Sequence, residues 1–394
     1  MQVFLTTCGA WHLQNTAKAF EDRNALSALW CTERNRTGIT PGRYRRCWPF
    51  HLAMAPFYLW MTGLWIERAF YAFFPIWRVW QQKQKPPECD VVQSIIGYAT
   101  EPFDFADQTG ALKVLDCPNS HPTTCYGFWQ RECDLWCPGD KLPVPRRMIA
   151  RMNRELQRAD LIVVQSRFCK ESMVLNGIPA ERVMVNPMGV DTSIFKKREV
   201  LPPKPRFICV GTICLRKGHQ YLFRAFQIVK QRLPEAELIC VGQYKHDFRK
   251  EKSKWAGTFT HFPSLPHPQV AELLRSSSAF VFPSQEEGIA RAQIEALASG
   301  LPVIGTHQGG ATTVVEHGVE GFIVPGREPA AIAEAMIKLA QDRDLNSRMG
   351  EAAYERGAKG NTWQDYGDRL LAEYERRLEK RLSDASRPAF VLVS

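Results

Sequence analysis

Acidic residues are in the minority in this chain of 394 residues: 41 Asp and Glu stand against 51 Lys and Arg, a formal net charge of +10. Cysteine is sparse as well. Twelve in the whole sequence are too few for a disulfide-held scaffold, and the paired C-x2-C of structural zinc sites is missing. Cys117, Cys125, Cys133, Cys137 and His121 lie near one another, but their spacings are not those of metal ligands, so no metal is expected there. The start, MQVFLTTCGAWH, lacks the basic stretch and long apolar core of a secretory signal and reads as a first strand. At 45% hydrophobic and 23% charged residues, the composition excludes disordered, collagenous and coiled-coil chains. The length suits two domains with sizeable cores.

What is present is an alternation of short apolar runs with helical segments. Residues 2–8, 25–32, 90–96, 112–115, 161–164 and 183–186 read as strands, and residues 14–23 and 146–158 have helical spacing. Residues 196–205, KKREVLPPKP, are charged and proline-rich, as linkers are. The alternation then restarts, with strands expected at 206–211, 237–242, 279–283, 302–305 and 321–325, a helix at 217–233, and helix from 342 to about 380. Strands alternating with helices imply parallel sheets covered on both faces. The expected architecture is α/β, with two Rossmann-like domains facing across a cleft. Residues 1–195 form the first domain and 206–360 the second, with a last helical stretch at 361–380.

Residues 47–80 interrupt the pattern. Within them, residues 47–66 form an uncharged, aromatic-rich run of twenty, long enough in principle to span a bilayer. Pro49, His51 and Pro56 lie inside it, and Arg43, Arg45 and Arg46 on one side face Arg78, Lys83 and Lys85 on the other, so charge gives no orientation. The reading taken is an insertion in contact with a membrane surface, ahead of an internal hairpin or a true span.

Two stretches carry chemistry. In SQEEGIARAQIEALASGLPV, residues 284–303, Glu287 precedes a helix that holds Glu295 eight positions on. Each carboxylate can accept hydrogen bonds from a vicinal diol, and the free N–H groups at Gly288, Ile289, Ala290 and Arg291 suit a phosphate. In VGTICLRKGHQYL, residues 210–222, Arg216 and Lys217 open the next helix and form a candidate pyrophosphate clamp.

Together these stretches resemble the retaining GT-B glycosyltransferases of the family 4 (group 1) type. The family pattern E-G-x6-E-A-x-A-x-G-x-P-V-I stands here as Glu287-Gly288 to Glu295-Ala296, Ala298, Gly300 and Pro302-Val303-Ile304. NPMGVDTSIF resembles the family's domain junction, and TWQDYGDRLLAEYE its last helix, which implies that residues 361–380 cross back onto an acceptor-side domain of residues 1–195. The resemblance implies transfer of a sugar from a UDP- or GDP-linked nucleotide sugar with retained configuration, without a metal or a resident cofactor. It places Glu287 on the donor sugar, Glu295 on the ribose and Lys217 on the diphosphate. His121 would face the donor sugar, and Gly9 would bring its backbone to the diphosphate. The family usually carries Arg where this chain has Thr212, so Arg216 is expected to supply that charge. Asp342-Arg343-Asp344 spells D-x-D far from this constellation and is read as chance.

The implied acceptor is lipid-linked or a glycan, as in polysaccharide assembly, at the inner face of the cell membrane in the cytoplasm. Alternatives are a GT-B nucleotide-sugar epimerase and a catalytically inactive membrane-surface scaffold. Arg146, Arg147, Arg151, Arg154 and Arg158 can line part of a helix, but no nucleic-acid module accompanies them, and no nucleic-acid partner is expected.

Overall fold

A computed structural model describes residues 1–9, 12–50, 53–54, 64–139, 144 and 146–386. Thirteen strands among them form two sheets, and every pairing is parallel. The first sheet holds β1 (Val3–Thr7), β2 (Leu26–Cys31), β3 (Tyr44–Arg46), β4 (Val91–Ile95), β5 (Leu112–Cys117), β6 (Leu161–Val164) and β7 (Val183–Val185), in the order β3-β2-β1-β4-β5-β6-β7. The second holds β8 (Arg206–Val210), β9 (Glu237–Val241), β10 (Thr260–Phe262), β11 (Ala279–Phe282), β12 (Val303–Gly305) and β13 (Gly321–Ile323), in the order β10-β9-β8-β11-β12-β13. Central strands such as VFLTT and AFVF are buried on both faces, as parallel strands between helical layers must be.

The longer helices of the first domain are α1 (Leu13–Asp22), α2 (Leu64–Gln82), α3 (Thr100–Thr109), α4 (Pro122–Trp136), α5 (Arg146–Arg158) and α6 (Arg167–Leu175). Those of the second are α7 (His219–Arg232), α8 (His267–Arg275), α9 (Arg291–Ala298), α10 (Pro329–Gln341) and α11 (Arg343–Ala358). The expected single helix from 342 onward is two: α11 stops at Ala358, and α12 (Trp363–Ser386) starts after a break in which Thr362 caps it through Asp365. The break turns α12 back onto the first domain. Tyr366, Leu370 and Tyr374 recur every four residues along it, and all three are fully buried against Val3, Leu5 and Phe20. Burying a leucine such as Leu370 is worth about 2 kcal/mol. At the junction the two crossing segments nearly touch: a Cβ on Gly189 would lie 2.6 Å from Trp363 N and Cα. Only glycine fits there.

The domains share more than this crossover. Cys133 and Cys137, at the end of α4, belong to the second domain's hydrophobic core. Glu132, fully buried, accepts from Gln220 Nε2 and Tyr221 OH, both at 2.9 Å, and from Arg327 Nε at 2.7 Å. Trp129 Nε1 donates to Asp247 Oδ2 at 3.1 Å. The linker is also tied down. Arg198 is buried and donates to the carbonyls of Ser277, Ser278 and Asn346.

Part of the aromatic insertion, residues 51–52 and 55–63 with His51 and Pro56, lies outside the described residues. The far end of α2 packs inward, with Phe74 and Trp77 buried and Trp77 stacked on Trp80 at 5.3 Å between ring centres. Trp48 is 57% exposed beneath the Arg46 guanidinium. Among the described residues no helix is long and apolar enough to cross a membrane. Cys117, Cys125, Cys133 and Cys137 do not converge: Cys117 closes β5, Cys125 faces Glu286, and the other two enter the second core.

Candidate active site

Both sheets reverse their strand order, the first between β1 and β4, the second between β8 and β11. At such a reversal the flanking loops diverge and leave a crevice beyond the carboxyl ends of the strands. Here a cavity of about 460 Å³ lies between the two crevices. The first domain lines it with His12, from the turn after β1, and with Pro118 and Asn119 after β5. The second contributes Gly211, Thr212 and Lys217 after β8, and Glu287, Ile289, Ala290, Arg291, Ala292 and Glu295 after β11.

The electrostatics are set by two carboxylates. Glu287 lies 3.2 Å from Lys217 Nζ and 3.5 Å from Arg216 Nη1. Burial alone would raise its carboxyl, but the Lys217 ammonium and Arg216 guanidinium hold it below the ordinary Glu range, so it stays ionised. Glu295 is the opposite case. Burial lifts its carboxyl, and Arg291 and His267 offset that only in part. Between the two, α9 opens at Arg291 with Ala290 as its N-cap. No side chain caps it and no acid occupies its first turn, so its leading N–H groups are open to an anion from the cavity.

The structure brings Lys217, Glu287, Ile289, Ala290 and Glu295 to one cavity wall. Four other candidate residues sit behind or beside that wall. Arg216 donates to the Glu286 carbonyl at 2.6 Å and to its carboxylate at 2.7 Å. Glu286 in turn accepts from Ser120 N and Oγ of the first domain, so Arg216 braces the loop that carries Glu287. Gly288 lies close against the first domain, where a Cβ would lie 1.9 Å from the Pro118 carbonyl oxygen. His121 caps α4, its Nδ1 accepting from Thr123 N at 3.2 Å, and burial lowers its proton affinity, which keeps the ring neutral. Gly9 holds φ at 113°, and its N–H donates to Thr32 Oγ1 at 2.9 Å. Asp342 caps α11 by accepting from Leu345 N, a local duty that explains the acidic residue there. Two arginines of α5 pair with carboxylates within the first domain: Arg151 with Glu101, and Arg158 with Asp104 and Asp107.

Sequence reasoning missed His12. Its Nε2 lies 2.8 Å from Asp116 Oδ2, and Tyr366 of the crossing helix reaches the same nitrogen at 3.4 Å. Asp116 is fully buried at the end of β5 and also accepts from Gln93. The contact turns Nε2 toward Asp116 and leaves Nδ1 on the other side of the ring. The one sequence signal is a histidine just after a first strand. Its partner lies more than a hundred residues away.

Residues 190–356 match the family model of the glycosyl transferases group 1. Among curated proteins, D-inositol 3-phosphate glycosyltransferase of Paenarthrobacter aurescens is 29% identical over 250 residues, 59% of this chain and 61% of that protein. The GDP-mannose-dependent alpha-(1-6)-phosphatidylinositol monomannoside mannosyltransferase of Mycobacterium tuberculosis is 28% identical over 236 residues, 54% of this chain and 60% of that protein. The matches thus span about three fifths of these relatives' length. Sucrose-phosphate synthase of Thermosynechococcus elongatus superposes with a TM-score of 0.73 at 16% identity, over 98% of this chain and 100% of that one. HepE of Anabaena, solved with UDP and glucose, superposes at 0.67 and 14% identity, over 95% and 100%. Residues 190–356 are thus similar to the glycosyl transferases group 1, and the whole chain has a fold of GT-B type.

Proposed function

We propose that the protein transfers a sugar from a UDP- or GDP-linked nucleotide sugar to a lipid-linked or glycan acceptor, with retention of configuration. The observation that carries this reading is the convergence of Lys217, Glu287, Glu295 and the uncapped start of α9 on one interdomain cavity. The names of the relatives support the same class of reaction.

On this reading the diphosphate lies against the α9 N–H groups and Lys217, where dipole and charge act in one direction. Glu295 accepts from the ribose hydroxyls and Glu287 from those of the donor sugar. As the sugar–phosphate bond lengthens, negative charge grows on the diphosphate and meets cations already in place. The departing phosphate oxygen takes the proton of the attacking hydroxyl, so the reaction needs no protein nucleophile and invokes no metal ion. His12, fixed by Asp116, offers Nδ1 to a substrate hydroxyl from the opposite wall. A membrane-held acceptor at the cytoplasmic face is consistent with the exposed Trp48 and its cationic neighbours.

The test is to incubate the protein with UDP-, GDP- and ADP-sugars and lipid or glycan acceptors, following nucleotide release. Product anomers are then assigned by NMR. Release from at least one donor with an unchanged anomer supports the reading. Full inertness to every donor overturns it, and an inverted product overturns the retention assignment.

A further inference from the structure

The cavity is short of positive charge for the ligand proposed above. Position 212 is a threonine. Arg216 is committed to Glu286, with only 16% of its side chain exposed. Lys217 stands 3.2 Å from Glu287, which already matches its charge. A diphosphate brings about two further negative charges.

Among the described residues that line the cavity, Arg291 is the remaining strong cation. It is exposed, and among the described residues no carboxylate comes within ion-pair distance of it. Its position works against α9, because it is the first residue of a helix whose N-terminus is already positive and has no acid to offset it. Glu295, four positions on, feels its charge but closes no ion pair with it, and a cation held against the helix dipole in this way is the kind of local conflict found at ligand sites.

We infer that Arg291 is the second diphosphate-binding cation, filling the role that Thr212 leaves open and that Arg216, turned to Glu286, does not fill. The inference rests on the transferase reading for the identity of the ligand. It assigns Arg291 to the phosphates rather than to the ribose, although Arg291 also helps keep Glu295 charged. A bound diphosphate would replace repulsion at the start of α9 with attraction from both the side chain and the N–H groups.

The experiment measures binding of uridine, UMP and UDP, and of guanosine, GMP and GDP, to the full chain by calorimetry. Wild type is compared with Arg291→Ala, Arg291→Lys and Arg291→Glu. A charge-assisted contact of this kind predicts that Arg291→Ala weakens diphosphate binding roughly 10- to 100-fold. The nucleoside should change less than about twofold, and Arg291→Lys should recover part of the loss. Arg291→Glu should abolish diphosphate binding while leaving the melting temperature of the unliganded protein equal to or above that of wild type, which separates ligand loss from misfolding. Equal weakening across nucleoside, monophosphate and diphosphate would place Arg291 on the ribose side through Glu295 and overturn the inference. Unchanged diphosphate binding in Arg291→Ala would also overturn it while leaving the transferase reading standing. A wild type that binds none of the six overturns both.

Discussion

Glu132 provides a sharp test of how the two domains are held. It comes from the first domain, is fully buried, and accepts from three groups of the second: Gln220 Nε2, Tyr221 OH and Arg327. Glu132→Ala leaves the Gln220 and Tyr221 donors without their acceptor in a buried setting, at about 1–3 kcal/mol each. Arg327 is 29% exposed and regains water, so its share is small. The expected loss is about 3 kcal/mol, at the low end for breaking a buried charged network. For domains of this size that lowers the melting temperature by roughly 6–12 °C. Glu132→Gln keeps one acceptor oxygen and should lose about half as much. Because the lost bonds cross between domains, small-angle scattering should also report a larger radius of gyration. Nucleotide affinity should stay close to wild type, since the second domain supplies Lys217, Glu287 and Glu295. A melting temperature within about 1 °C of wild type would refute the argument.

Glu295→Ala should abolish the stabilisation given by a nucleotide-sugar donor. Asp342→Ala should cost about 1 kcal/mol for its lost helix cap and leave that stabilisation intact; equal effects in a thermal-shift titration would count against the site. Glu287 is held below the ordinary Glu range when folded, so the native state binds fewer protons in acid than the unfolded chain. Its stabilisation is complete above the ordinary Glu range and is lost as pH falls through the lowered folded value. Glu287→Gln should flatten the acid limb of melting temperature against pH from the ordinary Glu range downward, and an unchanged limb would show the pair with Lys217 to be unimportant. Gly288→Ala places a Cβ against the Pro118 carbonyl and should pry the domains apart, with activity lost and scattering radius increased. Wild-type activity from that variant would mean the close approach is not needed for turnover.

The order of strands and helices was legible wherever an apolar run is buried on both faces, as in β1, β5, β6 and β11. The edge strands β3 and β10 were not. YRR and THF are three residues each and half-exposed, with no pattern to distinguish them from loop. The helix α4 also escaped, because its sequence PTTCYGFWQRECDLW answers to two domains at once and so lacks a single apolar face. At the site, Glu287, Glu295 and Lys217 were readable because local spacing around a strand and a helix start determines where they point. His12 was not readable, since its setting depends on Asp116 and Tyr366, which arrive from distant parts of the chain. The role expected of Arg216 failed to account for Glu286, whose need for a cation in a buried position is visible only once Ser120 and Cys125 of the other domain close over it.

The central claim is that the interdomain cavity is a nucleotide-sugar site. A crystal structure of the protein with bound UDP or GDP tests it most directly. The account predicts the diphosphate on the N–H groups at the start of α9 beside Lys217, with the ribose hydroxyls on Glu295. A nucleotide bound elsewhere, or one in this cavity with its ribose away from Glu295, would contradict it.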